Sequence, residues 1–502
     1  MKITLLENEH WWGGCAADGF RMPFTAETEF QRVMAPNTTN NQANPVLLSD
    51  CGRYVWCEEG MTFSFSKGVL EVESAGEIVF RETGGGLKEA FREAKSTYFP
   101  DDGKLPDTDL IVHPQYNTWI ELMYEQSEKK ILAYVDDLVA NGMPKGVIMI
   151  DDTWQQNYGT WEFSASNFTD PKGMIDRIHT LGYKIMLWIC PFVSADSIVY
   201  RELAPKGYFV KNPDGSDAIR NWWNGYSAVL DLTNPGAVRW FKDQLDHLQN
   251  DYGVDGFKFD AGDASFYRAD DVTFAPTTPN GQCELYAEIG RAYELNEYRA
   301  CWKMAGYPLV QRLADKRHSW TENGMNCLVP NSLAQSLMGY RFICPDMIGG
   351  GEFSCFLPGA EMDEELFVRY AQCSALLPMM QFSADPFRVL NKENAALCRE
   401  AALLHEEKGE EILGYVKKAM ASCDPVIAPV CYYYPGEGTT CETEYMLGEN
   451  LLVAPVVEKG RVESEIYLPT GTWIGFDSKE YTGGRKIRIS TPLNTLPYFY
   501  KK

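Results

Sequence analysis

Hydrophobic and polar positions follow two rhythms along this chain. Up to about residue 108 the apolar residues come in short runs, at 61–65, 69–72 and 77–81, with Gly and Asp turns between them. Such runs bounded by turn residues predict a β-sandwich domain over residues 1–108. From about residue 109, apolar runs of strand length begin to alternate with amphipathic stretches. Strands are expected at 117–122, 146–151, 184–190, 256–260, 299–303, 318–321, 341–345 and 379–382. Helices are expected at 128–141, 237–250, 285–296 and 364–375. Eight strands alternating with helices over roughly 270 residues predict a (β/α)8 TIM barrel at 109–423. A helical stretch at 392–421 leads into strands at 426–434, 451–457, 464–468 and 486–489. The last part, 424–502, therefore reads as a C-terminal β-sandwich domain. The fold class is α/β, with a central barrel between two β domains.

Charge narrows the function classes. The 46 Lys and Arg against 70 Asp and Glu give a net charge of −24. A nucleic-acid binder needs basic patches for phosphate, so this balance argues against nucleic acid, and it disfavours anionic membranes. No apolar stretch approaches the length of a membrane span. The 14 cysteines run from Cys15 to Cys441 without a C-x-x-C pair, and the first residues carry no apolar run of signal-peptide length. Both features predict a cytoplasmic protein. Six histidines without H-x-x-x-H spacing, and no G-x-S-x-G, P-loop or dinucleotide fingerprint, leave carboxylates as the available catalysts. The 13 Trp, 27 Tyr and 25 Phe suit sugar stacking and equally suit an ordinary core.

A barrel carries its chemistry at the carboxyl ends of its strands. Asp260 closes the apolar run Phe257-Lys258-Phe259 and precedes the Gly262 turn. Asp151 and Asp152 end the second expected strand, Asp315 lies beyond the fifth, and Asp346 follows the seventh. Trp188 falls in the third strand, while Trp154, Trp222 and Trp223 fall on loops. Several carboxylates with aromatics on one face match glycosidic cleavage, where one carboxylate meets the anomeric carbon and another protonates the leaving oxygen. Structural roles compete with this. Asp260 or the Asp151-Asp152 pair could cap a helix, Asp346 could form a turn before three glycines, and Asp315 sits in a solvated charge run, Ala-Asp-Lys-Arg-His. Lys258 within an apolar strand needs a carboxylate partner to be buried.

Six motifs in order carry a family resemblance. They are His-Trp-Trp-Gly-Gly (10–14), Ile-Asp-Asp-Thr-Trp (150–154), Leu-Trp-Ile-Cys-Pro-Phe (187–192), Trp-Trp-Asn-Gly (222–225), Lys-Phe-Asp-Ala-Gly-Asp (258–263) and Pro-Asp-Met-Ile-Gly-Gly (345–350). With Glu-Tyr-Met-Leu-Gly-Glu-Asn-Leu-Leu-Val-Ala-Pro-Val (444–456) they resemble glycoside hydrolase family 31, in its α-galactosidase-like branch. The resemblance implies a retaining α-glycosidase with Asp260 as nucleophile. The family's acid/base Asp lies 16 residues after a substrate-binding Arg, which implies Arg299 and Asp315. It further implies Asp151, Asp152, Trp188, Trp223, Lys258 and Asp346 as substrate-binding residues.

Two departures from the α-glucosidases of the family fit the galactosidase-like branch. Gln381-Phe382-Ser383 stands where those enzymes carry Arg-Asn-His, and the nucleophile segment differs. The Gln-Gln-x-Arg loop of the sulfoquinovosidases is absent, since Trp154-Gln155-Gln156-Asn157 lacks the Arg. The expected substrate is a small α-glycoside, with a terminal α-galactosyl group favoured. An α-glucosidase, an α-xylosidase, a transglycosidase and a catalytically silent sugar-binding protein remain alternatives. No metal or organic cofactor is expected, nor a nucleic-acid or membrane partner, and self-association into a homo-oligomer stays open.

Overall fold

The structure is a computed structural model that describes residues 1–321, 323–439 and 443–502. Two four-stranded antiparallel sheets form its N-terminal part. One joins Lys2–Thr4, Val69–Glu73, Thr62–Ser66 and Phe30–Val33; the other joins Trp11–Cys15, Ala43–Ser49, Arg53–Trp56 and Val79–Glu82. Along Thr62–Ser66, Phe63 and Phe65 point into the core and their neighbours do not. That is the period-two alternation of a strand with one buried face. Phe24 stacks on Phe65 with ring centroids 4.8 Å apart, and Trp11 is buried alongside in the same core.

The centre is a parallel eight-stranded barrel: β1 Gln115–Asn117, β2 Val147–Ile150, β3 Lys184–Ile189, β4 Gly256–Phe259, β5 Leu295–Tyr298, β6 Gln311–Arg312, β7 Ile343–Cys344 and β8 Gln381–Phe382. β8 pairs with β1, and a parallel bridge between Met347 and Gln381 closes the ring beside β7. Helices surround it, including Glu128–Ala140, Pro235–His247, Pro279–Gly290 and Glu364–Ala375. Proline at the first turn of Pro235–His247 and of Pro279–Gly290 fits a position whose N–H has no helical acceptor.

Three expected strands are displaced. β1 ends at Asn117, whose Oδ1 accepts the Trp119 N–H at 2.8 Å and turns the chain into the short helix Trp119–Leu122. β5 lies at Leu295–Tyr298 rather than 299–303, and β6 at Gln311–Arg312 rather than 318–321. The helix expected at 285–296 accordingly ends at Gly290. One physical cause underlies these shifts. The barrel interior here carries buried Gln115, Asn117, Glu297, Arg312 and Gln381 instead of aliphatic residues, so its strands do not read as apolar runs. The segment 318–321 is an irregular loop, held by His318 Nδ1 against the Gly349 carbonyl (2.8 Å) and by Trp320 Nε1 donating to Asp363 (2.9 Å).

Much of this polar interior is tied together by hydrogen bonds, as burial favours. Gln381 Nε2 donates to Gln115 Oε1 (2.8 Å) and to Glu297 Oε2 (2.6 Å), and Arg312 Nε donates to Glu297 Oε1 (3.2 Å). The N-terminal part also reaches into the ring. β5 meets β6 at Tyr298 opposite Gln311, and beyond that point Gln42 Nε2 bridges the carbonyls of Arg299 and Arg312, both at 2.7 Å. Asn41 Oδ1 accepts the Ala314 N–H at 2.7 Å.

The long helix Lys392–Ser422 starts at Asn391, whose side chain accepts the Glu393 and Asn394 N–H groups. After it, Ile427–Ala428, Tyr445–Leu447, Leu451–Val453, Tyr498–Lys501, Thr472–Gly475 and Glu480–Thr482 form a six-stranded antiparallel sheet, and Glu463–Leu468 pairs with Arg485–Ser490. The strand expected at 426–434 is only Ile427–Ala428, followed by the short helix Val430–Tyr433. Trp473, Phe499, Ile466 and Leu468 fill this part's core. Among the described residues no disulfide occurs, and Cys441 lies outside them.

Candidate active site

The strand ends converge on one cavity of about 400 Å3 at the carboxyl end of the barrel. Its lining includes Asp151, Asp152, Trp188, Trp223, Lys258, Asp260, Arg299 and Asp315. Eight of the nine residues singled out from sequence therefore share one space. The ninth, Asp346, does not line it. Its side chain is 0% exposed, and its oxygens accept Arg312 Nη1 (2.5 Å), the Lys316 N–H (2.7 Å) and the Gly351 N–H (3.0 Å).

Asp260 directly follows β4, and both its oxygens are engaged. Oδ1 accepts Arg299 Nε at 2.9 Å and the Ala261 N–H at 2.8 Å, and Oδ2 accepts Trp188 Nε1 at 2.9 Å. Burial alone would raise this carboxyl's pKa. The positive charges of Arg299, Lys258 and Arg312 and the Trp188 hydrogen bond outweigh burial and hold Asp260 well below the usual carboxylate range. It is thus ionised near neutral pH.

Lys258 points inward between Phe257 and Phe259, which pack outward; Phe259 stacks on Tyr298 with centroids 4.8 Å apart. Lys258 Nζ donates to Asp151 Oδ2 at 2.6 Å, the carboxylate partner that a buried lysine requires. Burial would lower the pKa of Lys258, yet Asp151 beside it keeps the ammonium above its ordinary value. Asp152 lies next to this pair. It accepts the Thr153 N–H (2.7 Å), Gln155 Nε2 (3.2 Å), Tyr158 OH (3.1 Å) and Asn224 Nδ2 (2.5 Å). Even so, burial pushes Asp152 up to about 7.

Arg299, the first residue after β5, is the hub on the other wall. It holds Asp260, clamps both oxygens of Asp263 (2.9 and 2.7 Å), and donates to the Asn40 carbonyl at 2.7 Å. Trp223, 47% exposed, lies at the mouth with the Arg299 guanidinium 5.6 Å from its ring centroid. Its neighbour Trp222 is buried, and Trp154 donates its Nε1 to the Trp188 carbonyl at 2.8 Å, so both are packing residues.

Asp315 stands three residues beyond β6, so it follows the sixth strand rather than the fifth. Its side chain is 38% exposed, and Oδ1 accepts Arg312 Nη1 at 2.9 Å. Among the described residues no hydrogen bond ends on Oδ2.

Several site residues carried no signal that the sequence reading used. Asp263 was visible inside Lys-Phe-Asp-Ala-Gly-Asp but had no role there. Arg312 and Glu297 belong to strands without apolar runs, and Asn40 comes from the N-terminal part of the chain. Tyr124, Phe266, Glu352 and Phe353 also line the cavity. Among the described residues the lining carries six carboxylates (Asp151, Asp152, Asp260, Asp263, Asp315 and Glu352) against three cations (Lys258, Arg299 and Arg312).

Residues 114–402 match the glycosyl hydrolases family 31 TIM-barrel domain, and residues 423–502 match the family's C-terminal domain. The myogenesis-regulating glycosidase of Mus musculus is 31% identical over 414 residues, covering 80% of this chain and 58% of its own length. The alpha-xylosidase XylQ of Lactiplantibacillus pentosus is 27% identical over 395 residues, 74% of this chain and 50% of its own. The chain thus spans about half the length of these relatives. Among solved structures, a family 31 dextranase of Flavobacterium johnsoniae superposes with a TM-score of 0.85 at 19% identity, covering all of this chain and 66% of that one. A sulfoquinovosidase from E. rectale gives 0.83 at 20% identity, with 100% and 82% covered. At such identities the likeness is one of fold. The family domains span most of the barrel and the C-terminal part, and the chain belongs to glycoside hydrolase family 31.

Proposed function

We propose that this protein is a retaining α-glycosidase that removes a terminal α-linked hexose, with α-galactosyl favoured, from small glycosides. The observation that carries the proposal is the pairing in one sugar-sized cavity of an ionised carboxylate, Asp260, with a second carboxyl group, Asp315, that has an oxygen without a partner among the described residues. Asp260 attacks the anomeric carbon as Asp315 protonates the leaving oxygen, giving a covalent glycosyl-enzyme. Water then donates a proton back to Asp315 and releases the sugar with its α configuration retained. Arg299, Lys258 and Trp188 keep Asp260 ionised and aimed, and the buried Asp151-Asp152 pair takes the hydroxyls at the far end of the sugar.

An excess of carboxylates over cations in the lining favours a neutral sugar over an anionic one. Preference for α-galactosyl is supported by the resemblance to that branch of the family and by two adjacent carboxylates able to accept from the 4- and 6-hydroxyls. Relatives carry names such as alpha-xylosidase, neutral alpha-glucosidase C and isomaltosyltransferase, which keeps those sugars and glycosyl transfer as the competing substrates and outcome. The scattered cysteines, without a disulfide among the described residues, support a cytoplasmic location. The test is turnover of aryl α-galactoside, α-glucoside and α-xyloside side by side, with sugar acceptors added to reveal transfer. Fastest cleavage of the galactoside is expected. Preference for another sugar overturns the substrate, and sugar binding without turnover of any overturns the activity.

A further inference from the structure

Arg312 is a buried and heavily engaged charged group of the barrel. It is the second residue of β6, and its side chain is 1% exposed. Nε donates to Glu297 Oε1 at 3.2 Å. Nη1 is directed at the Leu313 carbonyl (2.9 Å), Asp315 Oδ1 (2.9 Å) and Asp346 Oδ1 (2.5 Å). Two of these partners, Glu297 and Asp346, are fixed from behind. Glu297 Oε2 accepts Gln381 Nε2 at 2.6 Å, and Asp346 Oδ2 accepts the backbone N–H groups of Lys316 and Gly351. A planar guanidinium held on two edges by carboxylates has one orientation.

That rigidity has a chemical consequence at Asp315. A guanidinium keeps its protons at every accessible pH, so the oxygen facing it is always an acceptor. A proton on Asp315 must then sit on Oδ2, the oxygen without a partner among the described residues. Gly351 packs against the same oxygen that faces Arg312: a Cβ there would come within 2.9 Å of Asp315 Oδ1 and 2.6 Å of Met347 Cε, so a larger residue would press on the carboxyl group. We propose that Arg312 is a positioning residue, which pins Oδ1 of Asp315 so that Oδ2 alone carries the proton to the leaving oxygen. This role presupposes the glycosidase proposed above.

The test compares two aryl glycosides of whichever sugar the wild type cleaves, one with a 2,4-dinitrophenyl and one with a 4-methoxyphenyl leaving group. A dinitrophenolate departs without protonation; a methoxyphenolate does not. For Arg312→Met, kcat on the methoxyphenyl substrate should fall by roughly 10²-fold, the scale of a general acid's contribution, while the dinitrophenyl substrate loses less than about fivefold. Arg312→Lys, which keeps a charge but not the fork, should fall between. Gly351→Ala, which crowds the carboxyl group without touching Arg312, should show the same split and serves if the Arg312 variants fail to fold. Equal losses on both substrates, in variants that still melt cooperatively, would reduce Arg312 to a structural residue and overturn the inference. No wild-type cleavage of either substrate would instead sink the glycosidase itself.

Discussion

From β2 to β4 the barrel is built of strands of four, six and four residues in unbroken parallel register, whereas β6, β7 and β8 are two residues each. The long strands rest on aliphatic and aromatic faces such as Ile148, Ile150, Ile185, Leu187 and Phe259, all buried. The short ones rest on hydrogen bonds: Gln42 across two carbonyls, Gln381 across Gln115 and Glu297, and Arg312 across three carboxylates. The difference teaches how each of the two proposed reacting carboxyls is held. The apolar half ends in Asp260, fixed on a rigid strand and ionised. The polar half ends in Asp315, partly exposed on a loop, held by a guanidinium that itself needs the polar interior.

The contrast can be broken most severely at the reacting groups. Asp260→Ala should lower kcat by on the order of 10⁴-fold or more on every aryl glycoside, whatever its leaving group, without loss of cooperative unfolding. Asp315→Ala should be nearly as damaging on poor leaving groups but mild on dinitrophenyl glycosides, with azide restoring turnover as a glycosyl azide. Leaving-group independence for Asp315→Ala would remove it as the acid.

Stability sharpens the comparison next. Ile185→Ala, in the apolar half, should cost about 2–5 kcal/mol in denaturant unfolding while KM and kcat of the folded fraction stay near wild type. Gln42→Ala leaves the Arg299 and Arg312 carbonyls unpaired, at a cost on the order of 2–4 kcal/mol. It should also cut kcat about tenfold, because each arginine holds one of the two proposed reacting carboxyls. Equal effects of the two variants on kcat would erase the distinction between the halves.

The smallest expected effect is a matter of pH. Asp152 has its pKa raised by burial from 3.8 to about 7, so the folded state binds its proton more tightly than the unfolded chain does. Its contribution to stability is therefore fully present below about pH 4 and is lost as pH rises toward 7. Asp152→Asn should lie closer to wild type in stability at pH 4 and gain on it steadily up to pH 7, with no further gain above. A constant difference across that range would show that the group is ionised throughout.

The apolar half is also the half that sequence makes legible. Strands β2, β3 and β4 fall within a residue or two of the runs that predict them, and Asp151, Asp152, Trp188, Lys258 and Asp260 follow at once from reading their ends. The polar half hides itself. Leu295-Asn296-Glu297-Tyr298 and Gln311-Arg312 look like loop, because the face turned to the interior is bonded rather than greasy, and a hydrophobic pattern then settles on 299–303 and 318–321 instead. Arg299 and Asp315 were nonetheless reached through family spacing, which does not depend on where the strands lie. Asn40, Gln42 and Asp346 show the remaining gap. The first two reach the barrel from far away in the chain, and Asp346 supports Arg312 from a wholly buried position, contacts that only three-dimensional placement reveals.

The most direct measurement is to trap the glycosyl-enzyme. The protein is incubated with a 5-fluoro-α-glycosyl fluoride of its preferred sugar, digested, and the labelled peptide read by tandem mass spectrometry. A single adduct on the carboxylate of Asp260, formed by wild type and by Arg312→Lys but not by Asp260→Ala, is the predicted result. An adduct on another carboxylate, or time-dependent inactivation that survives in Asp260→Ala, would contradict the account at its centre.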